Sequence, residues 1–153
     1  MSETNLNGSI AIAAESDGTT PDPQNTDLSG SAFAALNFVD IPNLGNLGDT
    51  GVSQTANSYD TWDQPLVVQQ KGTATGNSSE IRVLDVTSNG LTALKAAAAI
   101  TNQNNYAFRV TYGSGDVEYL RGIVHSKTLP KGGPNAFREF VCTLTLNQEP
   151  FQA

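Results

Sequence analysis

A chain of 153 residues is long enough for one domain with a real core, and its net charge of −7 comes from few charged side chains. The sparse Lys and Arg exclude binding DNA by phosphate neutralisation, and the single histidine argues against a His-rich metal site. The charge is unevenly placed: residues 1 to 70 hold nine carboxylates and no Lys or Arg, whereas residues 71 to 153 hold eight basic and six acidic side chains.

Met1 to Gly30 is polar and punctuated by Gly18, Pro21 and Pro23, which predicts an extended arm without its own core. Its Ile10-Ala11-Ile12-Ala13-Ala14 patch has no basic residue ahead of it, so it does not read as a signal peptide. The patch suits a strand added to a neighbouring sheet edge. Residues 31 to 153 then form a single β-rich domain. Ser31 to Ile41, with Phe33, Leu36, Phe38 and Ile41, is expected to be its first strand. Pro42 to Asp49 turns the chain, and Gly51 to Tyr59 reads as a strand or an extended loop.

Alternation fails from Asp60 to Ser79, where Trp62, Leu66, Val67 and Val68 sit among acids and glutamines. Lys71-Gly72-Thr73-Ala74-Thr75-Gly76 follows with linker chemistry. Residues 43 to 79 are therefore expected to be mostly one long loop, whose apolar side chains need a partner surface.

Glu80 to Val86 is β-rich again. Ser88-Asn89-Gly90 then caps a helix over residues 88 to 101, with Leu91, Leu94 and Ala98 on one face. Tyr106 to Thr111 alternates, Gly113-Ser114-Gly115-Asp116 reverses the chain, and Val117 to Thr128 returns as the second arm of a hairpin. After a Pro/Gly loop, Phe137 to Leu146 supplies a third strand. Cys142 stands on its apolar face as a small buried hydrophobe. The expected fold is mainly β: a sandwich or half-barrel of antiparallel strands with one flanking helix.

Catalytic chemistry is missing. His125 and Ser126 adjoin on one strand and should point to opposite faces, with Asp116 at the far end, so no triad is expected. Gly113-Ser114-Gly115 lies in a hairpin and cannot cradle phosphate as a strand-to-helix loop does. No enzyme, metal or cofactor is expected.

Several stretches in order resemble the major tail tube protein of long-tailed, lambda-like bacteriophages. These are Phe38-Val39-Asp40-Ile41-Pro42, Ser58-Tyr59-Asp60 in the long loop, and the Ala/Leu helix from Leu91. They continue through Tyr106-Ala107-Phe108-Arg109-Val110, Tyr119-Leu120-Arg121-Gly122-Ile123-Val124-His125-Ser126 and a last strand ending at Leu146-Asn147. The resemblance spans residues 31 to 150. It implies a virion protein, assembled in the bacterial cytoplasm, whose six-fold rings stack into a tube around a tape measure protein. Tail terminator and tail tip proteins would close the ends, and viral DNA would pass through transiently without specific binding or any membrane contact. It also implies inter-ring contacts for the loop, here Tyr59, Asp60, Trp62, Asp63 and Leu66. Lys127, Lys131 and Arg138 are a basic cluster that could receive the acidic N-terminal arm of a subunit in the next ring, and Asp40 and Asp49 are candidates for the lumen. The sequence departs from that pattern in a longer, Asp-rich start, and no immunoglobulin-like domain follows Ala153, which implies a smooth tube. The competing expectation is a carbohydrate- or surface-binding β-sandwich with Trp62 and Tyr59 as a stacking platform.

Overall fold

The computed structural model describes residues 8–59, 62, 68–130 and 133–152. Among these, the strands are β1 (Ser9–Ala13), β2 (Phe38–Ile41), β3 (Leu44–Leu47), β4 (Val52–Tyr59), β5 (Val68–Gly76), β6 (Ser78–Leu84), β7 (Tyr106–Thr111), β8 (Val117–Thr128), β9 (Glu139–Leu146) and β10 (Phe151–Gln152). The helices are α1 (Gly30–Ala35) and α2 (Asn89–Ala97). The main sheet is antiparallel in the order β2-β1-β7-β8-β9-β6-β3, with β10 beside the first part of β8 and β4-β5 paired on their own.

The predicted meander is present as β7, β8 and β9. Tyr106 faces Gly122 and Thr111 faces Val117 across the hairpin, whose turn uses Gly115 at φ 98°. The helix begins where the sequence places it. The Ser88 hydroxyl accepts a hydrogen bond from the Leu91 amide at 3.2 Å, and Leu91, Ala93, Leu94 and Ala97 turn inward. Gly90 is required there, because any Cβ would run into the backbone of β2 at Asp40. Side chains from both ends of the sheet, Ile41 at β2 and Leu44 and Leu47 at β3, share one core with α2. The sheet therefore curls around the helix as an open half-barrel.

Four expectations need correction. The supposed arm supplies β1, which lies inside the sheet with Ile10 opposite Ile41 on one side and Val110 on the other. Ile10 and Ile12 enter the main core, while Ala13 packs on the opposite face with Phe33 and Ala107. The patch does form a strand, but between two partners rather than on a sheet edge.

The stretch expected as the first strand begins as α1 instead. The Ser29 hydroxyl accepts from the Ala32 amide at 3.3 Å, and Phe33 is its one buried residue. There are thus two helices. Within the expected turn, Leu44–Leu47 pairs with β6 across a register shift. The supposed linker is β5, paired with β4 from Val52↔Gly76 to Tyr59↔Val68.

The outer face of the sheet carries a second, smaller core. Phe33 stacks on Tyr119 with ring centroids 5.2 Å apart, and Phe38 and Phe151 flank the same tyrosine. Buried Arg121 fastens the N-terminal segment over this face. It donates from Nε to the Gln24 carbonyl at 2.8 Å and pairs with Asp27 at 3.1 Å.

Candidate functional site

Three surfaces hold the residues singled out by sequence. The first is the β4-β5 hairpin. From Val52 to Ser58 every side chain is exposed, as are Gln69, Gln70 and Lys71, and none of these belongs to either core. Tyr59 ends β4 opposite Val68, and Trp62 is fully exposed. Asp60, Asp63 and Leu66 lie outside the described residues, as does Lys131.

The second surface is the end of the sheet where β8 stops, β9 starts and β6 stops. Lys127 is exposed there, and Arg138 reaches Asp85 at 3.0 Å while Lys95 approaches the same carboxylate at 2.8 Å. The Lys95 hydrogen bond first, and the charges of Lys95 and Arg138 after it, hold the Asp85 carboxyl below its ordinary range against partial desolvation. Around these charges Phe137 is 78% exposed, and Leu129 and Val86 are also open to solvent.

The third surface is at the other end of β8, where the half-barrel stays open. A cavity of about 680 Å³ is bounded by Ser9, the segment from Leu44 to Thr50, Val110 to Tyr112, and Glu118. Glu118 lies in the register row Ile41–Ile10–Val110–Glu118, so the strand turns it toward the core side, and it is only 3% exposed. It accepts hydrogen bonds from the hydroxyls of Thr50 at 2.5 Å and Tyr112 at 2.9 Å. Burial first, then the Glu118 bond and charge, push the Tyr112 hydroxyl up to about 12. None of the ion pairs among the described residues includes Glu118 or Lys127. A smaller cavity adjoins Glu118 on the side of Glu149 and Gln152. Glu118 was missed in the sequence, although its phase with Leu120 and Val124 gives it away.

The two lumen candidates are separate. Asp40 is on edge strand β2, 3.8 Å from Arg109, whose guanidinium lies over the Phe38 ring. Asp49 is exposed at the cavity, its carbonyl accepting from the Ser79 hydroxyl.

His125 and Ser126 depart from the expected strand geometry. A register shift follows His125, and Ser126 adopts φ 59°, which swings its hydroxyl to 2.7 Å from Nδ1 of the imidazole. Nε2 meets the Thr145 hydroxyl at 2.8 Å, so both ring nitrogens face hydroxyls, and Asp116 is at the other end of the strand. The arrangement lacks the acid that would orient a histidine base. Among the described residues no group of His, Cys, Asp and Glu is arranged to hold a metal, and no helix is long and apolar enough to cross a membrane.

No protein-family description and no curated protein matches the chain. Solved structures do. The chain is similar to the SPP1 tail tube solved by solid-state NMR and cryo-EM, with TM-score 0.59 and 11% identity over 95% of this chain and 77% of that one. It is similar to a chain of the PVC extracellular contractile injection system sheath–tube complex in its extended state, with TM-score 0.58 and 10% identity over 95% and 87%. A chain of the anti-feeding prophage baseplate gives TM-score 0.55 and 9% identity over 100% and 94%. The fold is tail-tube-like.

Proposed function

We propose that this chain is the repeating structural unit of a virion tail tube. Six copies close into a ring, rings stack around a tape measure protein, and terminator and tip proteins complete the ends in the host cytoplasm. The β4-β5 hairpin carries this reading. Two strands with solvent on both faces are marginal by themselves in water, so the hairpin has to lie against something, and among the described residues no further strand pairs with it. Neighbouring copies in a ring would supply the missing strands. The similarity to the SPP1 tail tube supports the same use of the fold.

Tyr59, Asp60, Trp62, Asp63 and Leu66 belong in this reading to contacts between copies, together with Lys127, Lys131 and Arg138. Of the two lumen candidates, Asp40 serves the bore, while Asp49 stands at the cavity beside Glu118. A Lys or Arg reaching passing DNA would hold a phosphate by releasing counterions, whereas a carboxylate repels it across a screening length of about 8 Å at physiological salt. An acid-rich wall lets the genome leave for the host without friction of that kind.

The test is assembly. Purified protein should form rings or tubes with a bore in negative-stain images, and a strict monomer at high concentration would overturn the reading. Replacing residues 53–75 by a short Gly-Ser turn should leave the melting temperature of the monomer nearly unchanged, since Val52 and Gly76 are already paired. The same change should abolish tubes; tubes that persist would remove the hairpin from the mechanism.

A further inference from the structure

The two ends of β8 are chemically opposite. At one end the cavity is lined by the carboxylates of Asp49 and Glu118 and by no Lys or Arg. The adjoining smaller cavity adds Glu149, again without a cation. At the other end Lys127 and Arg138 stand beside exposed Phe137 and Leu129. From Glu118 to Thr128 the strand covers about 33 Å, so no subunit can bring its own basic end to its own cavity.

We infer that the acidic cavity of one copy receives the Lys127–Phe137–Arg138 end of a second copy, head to tail along β8. The inference rests on the tube reading and names the contact that would join successive rings. Three observations favour a second copy as the occupant. A carboxylate as buried as Glu118, met among the described residues by the neutral donors Thr50, Tyr112 and Gln152, is best served by an incoming cation. The exposed aromatic beside the basic residues gives that cation an apolar companion able to enter a cavity of this size. Finally, donor and receptor lie on opposite ends of one subunit, so the contact is heterologous and can propagate from copy to copy, as stacking requires. Arg138 keeps its contact with Asp85, which leaves Lys127, in no ion pair among the described residues, as the incoming charge and Phe137 as the anchor.

Charge exchange tests this. Lys127→Glu and Asp49→Lys each alter an exposed side chain, so circular dichroism should show both proteins folded. Each alone should raise the concentration at which tubes appear by about tenfold or more, because like charges then meet. The protein carrying both changes should return close to the unmodified value. As an independent readout, Asp49→Cys combined with Phe137→Cys should yield a ladder of disulfide-linked subunits in oxidised tubes; Cys142 is fully buried and takes no part. If unmodified protein forms tubes while the single variants assemble normally, or the exchange restores nothing and no ladder forms, the cavity has another occupant and this inference fails alone. If unmodified protein never leaves the monomer, the tube reading fails and takes this contact with it.

Discussion

Ile12→Ala is the sharpest test of the N-terminal segment, because an arm and a core strand give different answers. Ile12 is fully buried, with Val39 beside it in β2 and Phe108 beside it in β7. Removing its side chain beyond Cβ loses about 0.8 kcal/mol per carbon, or about 2.4 kcal/mol of transfer free energy. A strand held on both sides collapses poorly into the space, so the cavity brings the total to about 3 kcal/mol. For a chain of this length that lowers the melting temperature by about 6–12 °C. The measurement is a thermal melt of dilute, monomeric protein, checked against urea unfolding. Ile100→Ala is the control, since Ile100 is almost entirely exposed and its loss should move the midpoint hardly at all. A shift in Ile12→Ala no larger than in the control would mean that β1 is not core, and would restore the expectation of an extended arm without its own core.

Arg121→Met should cost about 2–3 kcal/mol by stranding the polar groups that the guanidinium serves. Amide exchange should quicken at residues 24–28 while β9 stays protected, and unchanged exchange there would show that Arg121 is no anchor. Acid stability should follow the depressed carboxyls. Asp17 is lowered to about 2, first by the Thr20 hydroxyl and then by the Thr20 and Thr19 amides, and Asp85 is lowered by Lys95 and Arg138. A group with a depressed folded pKa stabilises above its ordinary value and loses that contribution as pH falls through the folded one. The melting temperature should therefore drop below about pH 4, and less steeply in the Asp17→Asn, Asp85→Asn protein. Cys142, pushed up to about 12 by burial, should resist thiol reagents at pH 8 in the native state and react only on unfolding. Prompt labelling of native protein would contradict its place in the core.

The meander and α2 were legible because each states its own period: Tyr106, Phe108 and Val110 alternate, and Ser88 caps a run of Ala and Leu. Elements stabilised from elsewhere were harder to see. β1 is short and alternates Ile with Ala under polar flanks, so its strand character comes from β2 and β7. β5 reads as linker because Lys71, Thr73, Ala74 and Thr75 all face solvent, so no apolar period is selected. α1 hid behind Phe33, Leu36 and Phe38, whose spacing fits either a strand or a one-turn helix running into one. Among the site residues, sequence found the exposed charges Lys127 and Arg138 but not Glu118, an acid placed at a core position. Neighbouring His125 and Ser126 meet only because the register slips after His125, which no local pattern announces.

The central place of β1 also sets the order of events at the ribosome. Ile10 leaves the exit tunnel about 100 residues before its partner Val110, some 5–20 s at ordinary elongation rates. Until then only β2 is there to pair with, and the other edge of β1 stays open to any passing strand. Alternating Ile with Ala, and surrounding both with polar residues, keeps that waiting edge poorly adhesive to foreign strands. The sheet around β1 is thus completed only after Val110 has been made, so the surfaces that depend on it take shape late.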